Sequence, residues 1–206
     1  MLVIGLTGSI AMGKSAAARL LRRRRILVHD ADATVHALIG PQGRAVPAIA
    51  AAFPECVRGN AVDRAALGRL VFADPQALAR LEAILHPMTR AAARRFLAIA
   101  ARRRARLVVL DIPLLFEIGA ERGVDAVLVM TAPAWLQRDR ALRRPGMTDA
   151  KLTSILARQV PDRDKRRRAD AVLSSAQGLA RTHRDLGRLL AAWAEQRGTR
   201  WRPGWH

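Results

Sequence analysis

Short apolar runs alternate with amphipathic stretches along the chain, and this alternation predicts its secondary structure. Residues 2–6 are nearly all apolar, as expected for a strand buried on both faces of a parallel sheet. Four more strands are predicted, over residues 26–28, 107–110, 124–130 and 171–173. Helices are predicted between the strands, from Lys14 and over residues 134–143, 149–159 and 179–196. Strand and helix alternate, which indicates an α/β fold with a parallel sheet.

Residues 32–104 interrupt this rhythm because they contain no convincing strand. The segment is predicted to be an all-helical insert, of the kind that forms one wall of a substrate cleft. Asp74 and Pro75 suit the N-cap and the first position of one of its helices. Pro87 is expected to kink or split that helix, because proline lacks the N–H that a helix interior needs.

Length and composition restrict the class of protein. The 206 residues, 50% of them hydrophobic, fit one globular domain with inserts. No apolar run approaches the roughly 18 to 20 residues of a membrane span. We therefore expect a cytoplasmic protein without a membrane partner, as a monomer or a small homo-oligomer. Cys56 is the only cysteine, which excludes an intramolecular disulfide and a thiolate metal cluster.

The formal net charge of +19 would ordinarily indicate a polyanionic partner such as nucleic acid. Only Lys14, Lys151 and Lys165 are lysines among the 36 basic residues, and the arginines are scattered through alanine-rich helices. This distribution favours a compositional bias toward arginine, with most arginines on solvated faces. Aromatic residues make up 4% of the chain, which leaves few platforms for stacking bases. We therefore expect no nucleic-acid partner.

A glycine-containing segment follows the first predicted strand. Residues 8–15, GSIAMGKS, match GxxxxGK[ST] between a strand and a helix, the context that identifies a phosphate-binding loop. Gly8 and Gly13 allow turns where a Cβ would clash, so that N–H groups face phosphate oxygens. Lys14 supplies charge for the β- and γ-phosphates of a nucleotide, and Ser15 offers a hydroxyl to Mg²⁺. The nucleotide-binding residues predicted in this loop are Gly8, Ser9, Ala11, Met12, Gly13, Lys14, Ser15 and Ala16.

Polar residues also follow the other predicted strands, whose carboxyl ends share one edge of a parallel sheet. Asp30 and Asp32 follow the second strand, Asp111 the third and Thr131 the fourth. One carboxylate near a nucleotide can accept a proton from an acceptor hydroxyl, and another can orient Mg²⁺, with Asp111 and Ser15 as its expected ligands. Asp30 and Asp32 would share a face if their segment were extended. Capping of the next helix is the alternative for either residue.

A basic constellation follows the fourth strand and ends at a helix-breaking Pro-Gly pair. On a helix, Arg140 shares a face with Gln137 and with Arg143. Arginines on a mobile helical hairpin can fold down over the loop, exclude water and stabilise charge on a transferring phosphoryl group. A solvated face is the alternative, and it applies more to Arg138 and Arg144 than to Arg140.

Motifs in a fixed order give the chain a resemblance to one family. They are the loop, then Asp30-Ala31-Asp32, Val62-Asp63-Arg64, His86-Pro87, the run DIPLLFE at 111–117, Gln137 with Arg140 and Arg143, and Arg158-Gln159 with Lys165. At these spacings the chain resembles the dephospho-CoA kinases from residue 2 to about residue 190. The loop alone is shared by many unrelated proteins, whereas the other segments are far more specific.

The resemblance implies a three-layer P-loop fold with a five-stranded parallel sheet, a helical substrate-binding insert and a helical lid. It also implies a kinase that makes coenzyme A from dephospho-CoA, with ATP as co-substrate and Mg²⁺. One domain is expected, with a core over 1–39, 105–136 and 166–197, a CoA-binding insert over 40–104 and a lid over 137–165. Residues 198–206 are expected to be a loosely ordered tail.

Site roles carried over by position follow from the same resemblance. Asp32 would be the base for the ribose 3′-hydroxyl, and Lys14 and Arg140 would hold the transferring phosphoryl group. The residues expected at or near the acceptor are Asp32, His86, Pro113, Leu114 and Glu117. The further expected nucleotide contacts are Arg143, Asp170 and Ser175.

The chain departs from the family pattern at three places. Ser9, Ala11 and Met12 replace Gly, Gly and Ser, and Ala11 is expected to need an ordinary backbone conformation. Ser175 stands where Asn is usual, and arginines at 24–25 replace a Gly-containing turn into the second strand. Two other interpretations stay open at this point. One is another P-loop small-molecule kinase with a different acceptor, and the other is a basic P-loop NTPase that binds nucleic acid.

Overall fold

A five-stranded sheet organises one of the two compact units of the structure, a computed structural model that describes residues 1–201. In spatial order, with labels numbered along the chain, the strands are β2 (Leu27–Asp30), β5 (Leu107–Asp111), β1 (Leu2–Thr7), β6 (Ala126–Thr131) and β7 (Ala171–Ser174). β1 is central and parallel to both neighbours, with Ile4 opposite Val109 and Ala126. The predicted parallel five-stranded sheet is confirmed.

Every strand continues past its predicted carboxyl end. Asp111 pairs with Leu6, and Thr131 pairs with Ser174, although Asp111, Thr131 and Ser174 are polar. Backbone pairing with a parallel neighbour decides where a strand ends, whereas the sequence pattern shows only where apolar side chains end. As a result, polar side chains project from the last residues of three strands at the edge where the phosphate loop lies.

The helices of the same unit include α1 (Lys14–Arg23), α6 (Ala134–Leu142), α7 (Asp149–Ala157), α8 (Asp162–Arg167) and α9 (Gly178–Ala194). Of these, α1, α8 and α9 contact strands of the sheet. Leu21 of α1 and Leu186 of α9 have no exposed surface and join Ile4 and Leu128 of the sheet in one core. Burial of each such side chain contributes about 1.5–3 kcal/mol. α6 and α7 end earlier than predicted, and α8 was not predicted.

Residues 30–96 form a second compact unit with its own hydrophobic core. Its helices are α2 (Ala31–Ile39), α3 (Val46–Ala52), α4 (Arg64–Ala73) and most of α5 (Pro75–Arg102). Ile49, Phe53 and Cys56 are at most 1% exposed in this core. The unit begins and ends earlier than the insert expected over 40–104.

The prediction of an all-helical insert is wrong in one place. β3 (Val57–Arg58) and β4 (Ala61–Val62) pair as an antiparallel hairpin around Gly59, whose φ of 58° suits a tight turn. Strands of two residues are too short to show an alternating pattern in the sequence. After β4, the Asp63 carboxylate caps α4 by accepting hydrogen bonds from the N–H groups of Ala65 and Ala66, both at 3.0 Å.

α5 is one continuous helix from Pro75 to Arg102, so Pro87 does not split it. A proline inside a helix removes one backbone hydrogen bond, a loss that packing can offset. Here Ile84 and Met88 pack against the core of the second unit. The predicted cap at the start of α5 is confirmed, because Asp74 accepts a hydrogen bond of 2.8 Å from the N–H of Gln76.

Two helices end at an arginine in the left-handed backbone conformation. Arg25 after α1 has φ 61° and Arg104 after α5 has φ 54°. In each case the next N–H closes the helix, from Ile26 to the Leu21 carbonyl at 3.1 Å and from Ala105 to the Ala100 carbonyl at 3.0 Å. Glycine usually fills this position, because other residues lose about 1–2 kcal/mol there. The arginine turn into β2 thus keeps the geometry of a glycine turn.

Residues near position 200 are held to the start of the sheet by Asp125. Its Oδ1 accepts hydrogen bonds from the N–H groups of Thr199 at 2.6 Å and Arg200 at 2.8 Å, and its Oδ2 accepts one from Val3 at 2.8 Å. The rest of the tail expected to be loose, residues 202–206, lies outside the described residues. Among residues 1–201, no helix is long and apolar enough to cross a membrane.

Candidate active site

The loop between β1 and α1 has the tight backbone that its sequence predicts. Gly8 has φ 156°, and a Cβ there would lie 2.6 Å from the Met130 carbonyl oxygen. Gly13 has φ 94°, and a Cβ there would lie 2.8 Å from the Ser175 Cβ. Only glycine fits at either position, so the prediction for both is confirmed. The amino end of α1 presents backbone N–H groups toward the loop, as a site for an anion requires.

Ala11 adopts φ 62°, so the expectation of an ordinary backbone conformation at this residue is wrong. The family pattern has glycine there, and the alanine keeps the left-handed geometry at a cost of about 1–2 kcal/mol. Its neighbour Met12 is buried, and the thioether sulfur accepts a hydrogen bond of 3.0 Å from the Ala132 N–H. Ser9 is buried, and its carbonyl accepts the Met12 N–H at 3.2 Å. These contacts hold the loop against the end of β6.

Lys14, the lysine of the loop motif, forms an ion pair with Asp111, the carboxylate that was expected to bind a metal ion. Its Nζ is 2.6 Å from Asp111 Oδ1, and Asp111 is only 3% exposed. Ser15 is exposed one residue further along α1. Mg²⁺ prefers one or two carboxylate or hydroxyl oxygens together with phosphate oxygens, and Asp111 with Ser15 supplies such a set. Ala16 donates its N–H to the Gly13 carbonyl at 3.0 Å, within the first turn of α1.

Asp30 and Asp32 occupy different positions at the start of α2. Asp30 is the N-cap, and its Oδ1 accepts the Ala33 N–H at 3.0 Å. Asp32 lies in the first turn of the helix and is exposed. The segment is therefore not extended through Asp32, and the condition for a shared face is not met. The capping alternative applies to Asp30, which leaves Asp32 as the carboxylate with an open face.

Residues expected at the acceptor differ in what holds them. His86 lies half-buried within α5 of the second unit. Pro113 follows β5, and its carbonyl accepts the Thr7 hydroxyl at 2.9 Å. Leu114 is 42% exposed, as single apolar side chains on a protein surface often are.

Glu117 is engaged more fully than the sequence suggests. Its Oε1 lies 2.8 Å from the ammonium of Lys165 and accepts the Val160 N–H at 2.9 Å. Oε2 is buried without a hydrogen-bond partner among the described residues. The Lys165 side chain has no exposed surface. The ion pair between Glu117 and Lys165 was not predicted from the sequence, although a lysine retained in an arginine-rich chain was a signal for it.

Arg140 differs in its contacts from the other arginines in and directly after α6. Its guanidinium donates two hydrogen bonds to Ser175, at 2.7 Å to Oγ and 3.0 Å to the carbonyl oxygen. Arg143 and Arg138 instead form exposed ion pairs, with Asp139 at 3.0 Å and Asp149 at 2.7 Å. Exposed ion pairs of this kind contribute little to the stability of the fold. Arg144 is also exposed.

Asp170 lies at the wrong end of its strand for the nucleotide role expected of it. It precedes β7, at the amino edge of the sheet, and its Oδ2 accepts the Val127 N–H at 2.7 Å. Nucleotides bind at the carboxyl edge of such a sheet, where Ser175 lies after β7. Asp170 therefore joins two strands in this structure. The sequence does show which residues follow the carboxyl end of a strand. By that criterion Ser175 is a candidate nucleotide contact and Asp170 is not.

The parallel sheet, the loop after its central strand and the basic helix after β6 define a P-loop kinase. Residues 2–181 match the family profile described as dephospho-CoA kinase. The chain belongs to the dephospho-CoA kinase family.

Individual relatives agree with this assignment. A dephospho-CoA kinase of Rhodospirillum rubrum is 52% identical over 204 residues, which cover 98% of this chain and 96% of that protein. One from Paramagnetospirillum magneticum is 61% identical over 166 residues, 81% of this chain and 78% of the other. A solved Thermus thermophilus protein is 38% identical with a TM-score of 0.80, covering 93% of this chain and 97% of its own.

Proposed function

We propose that the protein transfers the γ-phosphoryl group of ATP to the ribose 3′-hydroxyl of dephospho-CoA, giving coenzyme A and ADP. The observation that carries the proposal is the phosphate loop of a family member, with Gly8 and Gly13 in backbone conformations that only glycine fits. The loop accounts for ATP, and the family accounts for the acceptor. The proposed organisation is a core, a CoA-binding insert and a lid formed by the α6–α7 hairpin.

Asp32 is the proposed base for the 3′-hydroxyl. This role is supported by the different positions of the two carboxylates at the start of α2, where Asp30 caps the helix and Asp32 is exposed. A carboxylate in reach of the hydroxyl accepts its proton as the new P–O bond forms. His86, Pro113, Leu114 and Glu117 are proposed to lie at or near the rest of the acceptor.

Lys14 and Arg140 are proposed to hold the transferring group from two sides. The Lys14 ammonium would leave Asp111 for the phosphate oxygens, while Arg140, whose fork now binds Ser175, would contact two oxygens at once. Ser15 and Asp111 would hold Mg²⁺, whose charge, when bound, offsets that of the β- and γ-phosphates. We propose that the loop residues, Arg143 and Ser175 contact ATP. We also propose that the protein is cytoplasmic and acts without a membrane or nucleic-acid partner.

The deciding experiment incubates the protein with Mg-ATP and dephospho-CoA and measures coenzyme A by mass. Asp32→Asn should lower turnover by about 10²-fold to 10⁴-fold while ATP binding persists. Asp30→Asn is the matched control, because asparagine also caps helices well. A larger loss with Asp30→Asn would show that the wrong carboxylate was chosen. No coenzyme A from the wild-type protein, with salt-sensitive binding of nucleic acid, would replace this proposal with the rival class.

A further inference from the structure

Both backbone polar groups of Ile10, the third residue of the phosphate loop, are bound by glutamine side chains. Gln137 Nε2 donates a hydrogen bond of 2.9 Å to the Ile10 carbonyl. The Ile10 N–H donates one of 3.1 Å to Gln159 Oε1. Gln137 lies on α6 and Gln159 lies two residues beyond the end of α7, so the glutamines come from the two arms of one hairpin. We call this pair the glutamine clamp.

The chemistry of the partners fixes the orientation of each amide. A carbonyl oxygen only accepts and a backbone N–H only donates, so position 137 must present a donor and position 159 an acceptor. Gln137 is 7% exposed, which makes an unmatched partner costly there. The glutamine clamp therefore consists of two specific hydrogen bonds to Ile10, and not of surface amides that lie close to it by chance.

Packing joins the same parts of the molecule. Ile10 and Ala11 of the loop share a small hydrophobic cluster with Ala141 of α6 and Leu152 and Leu156 of α7. Ala11 adopts its left-handed conformation directly after the clamped residue. The direction of the Ile10 peptide thus sets where the loop begins to turn and where its later N–H groups point.

We propose that Gln137 and Gln159 are positioning residues that hold the phosphate loop in its binding conformation and keep it in register with the hairpin that carries Arg140. This inference rests on the proposed function, because the clamp acts on ATP through the loop. A displacement of the loop by about 1 Å can cost up to about 10²-fold in rate. The clamp acts through Ile10, and neither glutamine needs to touch the nucleotide.

The test replaces each glutamine and compares KM with kcat. Gln159→Leu and Gln137→Leu should each raise the KM for ATP about tenfold and lower kcat, with the KM for dephospho-CoA within about twofold of wild type. Gln159→Glu keeps an acceptor oxygen and should stay closer to wild type than Gln159→Leu. Gln196→Leu, at an exposed glutamine beyond α9, is the matched control and should change neither constant.

A merely structural role gives a different result, because a smaller folded fraction lowers the apparent kcat and leaves both KM values unchanged. That pattern in both leucine variants would overturn the proposal. The double variant should lose little more than the worse single variant, since both contacts act on Ile10, and fully additive losses would also overturn it. The dissociation constant of a fluorescent ATP analogue provides the same test without turnover. A wild-type protein that makes no coenzyme A would refute the proposed function, whereas unchanged analogue binding in the variants would refute the clamp.

Discussion

Replacing Lys165 with methionine should destabilise the fold severely, although the residue lies outside the loop and the proposed catalytic set. Methionine follows the lysine side chain as far as Cε, with sulfur in place of Cδ, and lacks the ammonium, which lies 2.8 Å from Glu117 Oε1. The carboxylate would keep its hydrogen bond from the Val160 N–H but lose its counter-charge. Glu117 is 13% exposed and its second oxygen already lacks a partner among the described residues, so water can compensate little.

Removing one member of a buried ion pair costs about 3–5 kcal/mol, because the other charge stays buried and unpaired. A chain of this size loses roughly 2–4 °C in Tm per kcal/mol, so Lys165→Met should lower Tm by roughly 6–20 °C. Lys165→Arg should also destabilise, by about 1–3 kcal/mol, because a larger guanidinium enters a site without exposed surface.

Urea unfolding followed by circular dichroism measures these losses. Lys151→Met removes the other lysine outside the loop, which is exposed, and should cost at most about 0.5 kcal/mol. Glu117→Gln in the Lys165→Met background should recover most of the loss, since a neutral amide still accepts the Val160 N–H. Equal effects of Lys165→Met and Lys151→Met, or a double variant that loses the full sum of both single changes, would refute the reasoning.

Two further outcomes follow from residues at helix ends. Arg25→Gly should raise Tm by roughly 2–4 °C, because glycine removes about 1 kcal/mol of left-handed strain, whereas Arg23→Gly within α1 should lower it. Hydrogen bonding from the Ala66 N–H lowers the pKa of Asp63, so its stabilisation is present above the ordinary carboxyl pKa and is lost as pH falls through the lowered one. Asp63→Ala should therefore reduce the urea midpoint at pH 7, and the reduction should shrink as the pH falls below the ordinary carboxyl pKa; an equal reduction at every pH would contradict this origin.

The parts of this molecule that could be predicted from sequence are those that one residue type fixes locally. Gly8 and Gly13 are required by backbone conformation, and their spacing to Lys14 identifies the loop. The Asp74 cap depends on neighbouring residues alone. The sheet could be predicted for the same reason, because strands buried on both faces consist of consecutive apolar residues.

The features that could not be predicted depend on contacts between distant residues. Ala11 takes a glycine conformation because Met12 and the end of β6 hold the loop, which no local propensity shows. Asp170 resembles a nucleotide contact by family position, yet its partner is the Val127 N–H across a strand pair. The glutamine clamp joins residues more than one hundred positions apart in the chain. The roles of these residues can be assigned only once the fold shows which distant segments lie together.

The carboxylate of Asp125 has a consequence for protein engineering. It binds the backbone of Val3 with one oxygen and of Thr199 and Arg200 with the other, so segments far apart in the chain meet at one side chain. A short linker between these segments would span little distance, while the exposed turn at Gly146 offers a place for new termini. The fold is thus suited to circular permutation, with Asp125 as the residue that should not be changed in a permuted chain.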